Sequence, residues 1–156
     1  MAIEHVRLFF RNLGEEHRIM ELDEPTPTVA TAAAAHGVEP GRIGKTLSFK
    51  IDGEPLLIVT AGDAKVSNAK YKARFAAKAR MLNAEEVVEH TGHPVGGVCP
   101  FGLPRELPVY LDDSLRRFEE VIPAAGSLNS SIRLSLGELE RYSNAAGWVD
   151  VCDIPD

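Results

Sequence analysis

Cysteine is scarce in this 156-residue sequence. Its two cysteines, Cys99 and Cys152, are far apart and form no CxxC pair, so the sequence indicates neither a zinc site nor a disulfide framework. Long apolar runs are also lacking, and the first fourteen residues have the charged pattern of a helix rather than the hydrophobic centre of a signal peptide. We therefore expect a cytoplasmic protein with reduced thiols and no membrane partner.

The length and the 44% hydrophobic content predict one domain that spans residues 1–156. The net charge of -6 argues against indiscriminate nucleic-acid binding, and we expect no DNA partner. The segment from Ala64 to Arg80 nevertheless contains six basic and no acidic residues: Lys65, Lys70, Lys72, Arg74, Lys78 and Arg80. Such a segment suits a phosphate-rich ligand held at one place. A solvated helix face is the simpler explanation from charge alone.

Helix signals recur along the chain. An amphipathic helix should open the chain and stop at Gly14, and Thr26-Pro27 should begin an alanine-rich helix that ends at Gly37. Capping boxes predict two further helices, after Asn83 with Glu86 and after Ser135 with Glu138.

Strand signals are strongest in the middle of the sequence. Residues 45–51 alternate between polar and apolar, Asp52-Gly53 is a hairpin turn, and residues 55–61 are apolar throughout. Further strands are predicted near residues 18–22, 79–82, 107–111, 118–122, 131–134 and 148–152. Because the helices interrupt these strands irregularly, we predict an α+β (mixed α/β) fold, a curved mixed sheet or partial barrel surrounded by helices.

Lys45 occupies an unusual place in this pattern. It is in phase with the apolar residues Leu47 and Phe49, so its side chain should point to the core side of the strand. Since a buried ammonium without a partner is costly, Lys45 must reach a partner, extend to solvent or meet an anionic ligand.

The segment from His93 to Pro104 is rich in glycine and proline and should be a loop. Adjacent glycines at positions 96 and 97 leave backbone N–H and C=O groups uncovered, which is how a chain presents its backbone to a ligand. An ordinary surface loop with unusual dihedral angles would have the same composition.

Five segments follow one another over nearly the whole chain: GKT at 44–46, LLIVTAGD at 56–63, TGHPVGGVCPFG at 91–102, AGS at 125–127 and RLS at 133–135. In this order they resemble the YbaK/ProX family of aminoacyl-tRNA deacylases, which is related to the editing domain inserted in many bacterial prolyl-tRNA synthetases. Lys45 matches the family's lysine, and residues 96–100 fit its GxxxP motif.

The resemblance implies an editing enzyme that hydrolyses the ester between a wrong amino acid and the 3' end of a tRNA. Lys45 would hold the terminal phosphate or adenosine, and the backbone of Gly96, Gly97 and Val98 would contact the ester, orient water and favour the oxyanion. Proline tRNA carrying alanine, serine, threonine or cysteine is the expected substrate, and a prolyl-tRNA synthetase is a possible partner. No cofactor and no metal are expected.

Nine other residues are substrate-binding candidates by the same resemblance: Thr28, Thr46, Asp63, His93, Cys99, Pro100, Gly126, Ser127 and Asn129. Several of them have a structural alternative. Thr28 could cap a helix, and His93 could hold its loop. Asp63 could orient Lys45 or the ligand, and its structural alternative is a cap of the next helix. Gly126, Ser127 and Asn129 could form a turn between two strands.

Two other functions remain open from the sequence. The chain could be a non-catalytic module that binds tRNA or a synthetase. It could also be a small-molecule hydrolase in which Cys99 is the nucleophile and His93 the base. Against the second, the resemblance assigns Cys99 to the pocket wall.

Overall fold

The computed structural model describes residues 2–155, without the side chain of Ala2. The helices of this part are α1 (Ala2–Asn12), α2 (Val29–His36), α3 (Asn68–Phe75), α4 (Ala84–Thr91) and α5 (Leu136–Tyr142). The strands are β1 (Ile19–Glu21), β2 (Ile43–Ile51), β3 (Glu54–Ala61), β4 (Lys65–Val66), β5 (Val109–Asp112), β6 (Glu120–Pro123), β7 (Ser130–Ile132), β8 (Leu134–Ser135), β9 (Gly147–Val149) and β10 (Cys152–Asp153). No helix among residues 2–155 is long and apolar enough to cross a membrane.

Six strands form a curved mixed sheet in the order β8-β6-β2-β3-β5-β9. The hairpin of β2 and β3 is antiparallel and pairs Lys45 with Thr60. Strand β6 runs parallel to β2, and β5 and β9 continue the sheet in parallel on the other side of β3. The predicted α+β fold with a curved mixed sheet is confirmed.

Local signals account for the hairpin. Asp52 and Gly53 have φ angles of 51° and 81°, so both adopt the left-handed conformation that a two-residue turn between twisted strands requires. Strand β3 is buried from Pro55 to Ala61, as its unbroken apolar sequence predicted.

Aromatic side chains hold helices against the sheet. Phe10 of α1 is fully buried and packs edge to face against Phe101. On α3, Tyr71 is fully buried against Phe49 of β2, which shows that the aromatic face of this helix is the covered one.

Two of the predicted helix starts agree with the structure. Both predicted capping boxes are present, at Asn83 and Ser135. The prediction for α2 was wrong by two residues, because the hydroxyl of Thr28, not that of Thr26, accepts the capping hydrogen bond from the N–H of Thr31. The Thr26 hydroxyl instead donates to the carbonyl of Leu128.

Several predicted strands are shorter or divided. The strand predicted at 18–22 is limited to β1, Ile19–Glu21. Residues 79–82 form only a bridge between Met81 and Phe49. The strand predicted at 131–134 breaks at Arg133, since β7 pairs with β1 and β8 with β6. The strand predicted at 148–152 is divided into β9, which pairs with β5, and β10, which pairs with β4. Between them the N–H of Val151 donates to the carboxylate of Asp112 at 2.8 Å.

Candidate active site

A cavity of about 360 Å³ lies between α2, strand β2 and two loops, which are residues 92–104 (the glycine loop) and residues 124–129 (the late loop). Its volume is in the range of small-molecule sites. Among residues 2–155, no aspartate or glutamate lines it, and the only ionisable lining residues are Lys45 and His36. The other lining residues used below are Thr28, Thr46, Met81, Val95, Gly96, Val98, Ser127, Ser130 and Ser131.

Lys45 lies on β2 at the border of this cavity. Its ammonium donates a hydrogen bond to the carbonyl of Ala64 at 3.0 Å, in partly buried surroundings. Among the residues described, no ion pair joins Lys45 to a carboxylate. The partner required for a half-buried lysine is therefore a neutral carbonyl, which leaves the positive charge uncompensated by a direct contact.

Asp63 is close to Lys45 but serves another cation. Its carboxylate accepts two hydrogen bonds from the guanidinium of Arg117, one at 3.0 Å. Hydrogen bonding to Arg117 is the main reason why the pKa of Asp63 lies below its usual value, and Lys45 adds a smaller effect in the same direction. The alternative that Asp63 caps the next helix is wrong, because Ser67 caps α3.

The outer edge of β2 is open where it borders the cavity. Strand β6 covers this edge only at Ile43 and Gly44, and the Met81 bridge covers it at Phe49. The N–H of Lys50 and the C=O of Ser48 form hydrogen bonds with the segment around Met81. Because alternate residues of a strand direct their backbone groups to the same side, the N–H and C=O of Thr46 point to this side as well. The hydroxyl oxygen of Thr46 is also buried without a hydrogen-bond partner among the described residues. Thr46 thus offers a ligand three polar groups that no residue in the range 2–155 uses.

Glycines allow the two loops to approach each other. A Cβ atom at Gly97 would lie 2.9 Å from the backbone carbon of Ser127. Gly96 has a φ of +91°, and a Cβ there would lie 2.6 Å from the side chain of Leu128. Positions 96 and 97 therefore need glycine for conformation and for close approach.

The backbone donors of the glycine loop are not equivalent. The N–H of Gly97 donates to the carbonyl of Pro94 at 2.9 Å and is used within the loop. The N–H groups of Gly96 and Val98 donate to no other described residue. Of the three expected backbone donors, Gly96 and Val98 are the two that a ligand can use.

His93, Cys99 and Pro100 belong to the glycine loop, but they are buried and do not line the cavity, so the prediction that they bind substrate has no support from their position. His93 is fully buried and donates from Nε2 to the carbonyl of Phe101 at 2.9 Å. The sulfur of Cys99 is 3.5 Å from the same nitrogen, but burial raises the pKa of its thiol to about 12. These residues hold the loop from inside, and a thiolate at Cys99 is strongly disfavoured.

The remaining candidates have structural contacts. Thr28 lines the cavity and caps α2 at the same time. Ser127 also lines the cavity, and its hydroxyl donates to the side-chain oxygen of Asn129 at 2.9 Å. Asn129 in turn donates to the carbonyl of Leu22, and Gly126 has a φ of +98°, so both shape the late loop without lining the cavity.

Sequence reasoning missed His36 and Ser131, whose side chains meet across the cavity wall with Nε2 2.9 Å from Oγ. Burial is the main cause of the lowered pKa of His36. One signal was available, because His36 follows the lining residues Val29 and Ala32 at helical spacing. In residues 2–155, no three histidine, cysteine, aspartate or glutamate side chains are grouped so that they could hold a metal ion.

A small cavity without acidic groups, bordered by one lysine and by uncovered backbone donors, is typical of a site for a ligand with oxygen acceptors. The chain belongs to the aminoacyl-tRNA editing domain family, whose model matches residues 23–142. The resemblance stated from the sequence is thereby confirmed, and aminoacyl-tRNA editing is the function class of this family.

Relatives support the same conclusion. The uncharacterised protein YwhH of Bacillus subtilis is 48% identical over 153 residues, which cover 97% of this chain and 98% of that protein. The proline–tRNA ligase of Bacillus licheniformis is 35% identical over 154 residues, which cover 96% of this chain but only 27% of the ligase. EbsC of Enterococcus faecalis, provisionally named a Cys-tRNA(Pro)/Cys-tRNA(Cys) deacylase, is 30% identical over 67% of this chain and 65% of its own length.

A solved structure has the same fold along its whole length. It is described provisionally as a trans-editing enzyme for prolyl tRNA synthetase. The two chains superpose with a TM-score of 0.88 at 31% identity, and the match covers 97% of each chain.

Proposed function

We propose that this protein hydrolyses the ester bond between a small noncognate amino acid and the 3' end of a tRNA, with proline tRNA as the carrier. The observation that carries the proposal is the combination of Lys45 with the free N–H groups of Gly96 and Val98 at one acid-free cavity. The named relatives, a proline–tRNA ligase and a provisional Cys-tRNA deacylase, support the choice of tRNA.

The chemistry needs no protein nucleophile. Water adds to the ester carbonyl, the bond between the carbonyl carbon and the ribose oxygen breaks, and the proton from water passes to the ribose oxygen. Negative charge that develops on the carbonyl oxygen is stabilised by backbone donors of the glycine loop, and the ammonium of Lys45 supplies positive charge for the oxyanion or a terminal phosphate.

Several polar acceptors suit the substrate's α-ammonium group. Since the lining contains no carboxylate, this group must be met by neutral oxygen or nitrogen atoms. Candidates are the backbone carbonyl of Thr46 and the side chains of Ser131 and His36. The remaining wall is formed mainly by apolar side chains such as Val95 and Val98, which limits the size of the amino acid.

The test is hydrolysis of proline tRNA charged in turn with alanine, serine, threonine, cysteine or proline. We expect release of one or more of the noncognate amino acids and not of proline. Lys45→Ala should lower the rate by about 100-fold to 1000-fold, the range for loss of one oxyanion contact.

Two controls separate charge from packing. Lys45→Met keeps the aliphatic stem and should be as inactive as Lys45→Ala. Lys70→Ala removes a lysine that is outside the cavity and paired with Asp150, and it should retain activity. Full turnover by Lys45→Met would remove the role assigned to the lysine, and no release from any charged tRNA would favour a binding module.

A further inference from the structure

The basic segment of residues 64–80 is not uniformly charged in the folded protein. The ammonium of Lys70 lies 3.3 Å from the carboxylate of Asp150 and 3.5 Å from that of Asp153. The guanidinium of Arg74 lies over the ring of Phe75, 4.9 Å from its centroid. These two cations therefore already have partners on the protein.

The other four cations of the segment have no such partner. Lys65, Lys72, Lys78 and Arg80 are exposed, and none of them forms an ion pair with a residue in the range 2–155. Lys65 lies on β4 and lines neither of the two surface depressions that the other three cations line. We call Lys72, Lys78 and Arg80 the basic strip. Their charge is available to an external ligand, unlike that of Lys70.

The basic strip leads to the cavity. Lys72 and Lys78 line one surface depression, and Lys78 and Arg80 line the next one. The residue after Arg80 is Met81, which lines the cavity and is 57% exposed. Lys78 belongs to both depressions, so the cations follow one another from α3 to the cavity rim.

Nearby acidic residues do not neutralise this path. Asp52 lines the second depression without forming an ion pair to the strip. The ammonium of Lys50, which also lines that depression, lies 2.9 Å from the carboxylate of Glu86. The two charges of this ion pair cancel, so Glu86 does not neutralise the strip. Stabilisation of the C-terminus of α3 explains Lys72, but not Lys78 and Arg80, since the helix ends at Phe75.

We propose that the basic strip binds the phosphate backbone of the RNA whose 3' end enters the cavity. The inference rests on the proposed function, because it assigns the rest of the substrate to this surface. Outside the segment, the remaining 11 basic residues are outnumbered by all 23 acidic ones, so an RNA strand is repelled by most other surfaces.

The experiment measures equilibrium binding of an uncharged proline tRNA transcript at several salt concentrations. Each of Lys72→Ala, Lys78→Ala and Arg80→Ala should reduce the slope of log affinity against log salt by about 0.7 to 0.9, and the triple variant by about three times that amount. Over a fourfold rise in salt, each removed contact corresponds to about a threefold smaller loss of affinity.

Lys70→Ala is the matched control, because it removes one positive charge from the same segment of residues 64–80. Its salt slope should equal that of the wild type, since Lys70 is already paired. An equal decrease in the slope for Lys70→Ala would show an effect of net charge and would overturn the proposal. Unchanged slopes in all strip variants would also overturn it, including the case in which they lose binding to a proline–tRNA ligase instead.

Binding of uncharged tRNA does not depend on hydrolysis, so the two proposals fail separately. If the strip variants change the salt slope but no charged tRNA is hydrolysed, the proposed reaction is wrong and the RNA surface stands. If charged tRNA is hydrolysed with unchanged salt slopes, the reaction stands and the basic strip has no role. Thermal unfolding of each variant checks that these exposed substitutions leave the fold intact.

Discussion

Toward the C-terminal end of β2, Phe49 is covered by Tyr71 of α3, with the ring centroids 5.1 Å apart. Toward the N-terminal end of the same strand, Lys45 and Thr46 border the cavity, and the hydroxyl of Thr46 has no hydrogen-bond partner among residues 2–155. At the covered end the aromatic rings are packed and the backbone groups of Ser48 and Lys50 are hydrogen-bonded, although the hydroxyl of Tyr71 is also buried without a partner among these residues. At the cavity end, the edge of the strand leaves polar groups for a ligand. The core end of β2 therefore stabilises the fold, whereas the unpaired polar groups at the cavity end lower the free energy of unfolding.

The covered end should give the largest effect on stability. Phe49→Ala removes a ring that is 1% exposed, and we expect the free energy of unfolding to fall by about 3–5 kcal/mol in urea denaturation. Lys45→Ala should lower it by less, about 0.5–1.5 kcal/mol, because only one hydrogen bond to a carbonyl is lost in partly buried surroundings. Similar losses in the two variants would contradict the contrast between the ends.

Thr46→Val should have a smaller effect, with opposite signs for stability and activity. Because the hydroxyl is buried and unpaired, its replacement by a methyl group should raise the free energy of unfolding by about 1 kcal/mol. If this hydroxyl binds substrate, deacylation should fall by about 10-fold.

The matched control for Thr46 is Thr60→Val on the neighbouring strand. Thr60 is fully buried, but its hydroxyl donates to the carbonyl of Ala61, so its loss should destabilise the protein. If Thr46→Val also destabilises the protein, the hydroxyl of Thr46 contributes to folding and is not an unsatisfied polar group.

The sequence predicts most of the covered region because its signals are local. The Asp52-Gly53 turn and the capping boxes depend on residues no more than four positions apart. The site is predicted less completely. Lys45 and the glycine loop were found, but the contact between His36 and Ser131 joins residues 95 positions apart, and no local pattern encodes it.

Loop geometry limits prediction in the same way. The sequence indicated that Gly96, Gly97 and Val98 would present backbone groups, but the turn that ties the Gly97 N–H to Pro94 is visible only in the folded loop. Likewise, the free edge at Thr46 exists because β6 ends its pairing at Gly44, which is a property of the sheet.

The pH dependence of stability tests the surroundings of His36 at the cavity wall. Burial lowers its pKa below the ordinary value of 6.5 in the folded state, so the unfolded chain binds the proton more readily. The contribution of His36 to stability is therefore complete above pH 6.5 and is lost as the pH falls toward the folded-state pKa, by at most about 1.4 kcal/mol per pH unit. In the His36→Asn variant, the free energy of unfolding should change less between pH 7 and pH 5 than it does in the wild type.

The buried His93 provides the comparison for His36. Its pKa is lowered mainly by burial as well, so it weakens the folded state at acid pH with the same sign and remains in the His36→Asn variant. The variant should thus lose part of the pH dependence and not all of it. An unchanged profile would show that His36 does not titrate in this range.

The smallest effect is expected from thiol alkylation. Both cysteines are buried and burial is the main cause that raises each thiol pKa to about 12, so iodoacetamide near pH 7.5 should leave the native protein unmodified and fully active. In denaturant, mass spectrometry should find both thiols labelled. Rapid labelling of Cys99 with loss of deacylation would make its thiol a candidate nucleophile again. An unreactive Cys99 instead places the chemistry on the cavity side of the glycine loop, where the N–H groups of Gly96 and Val98 are free.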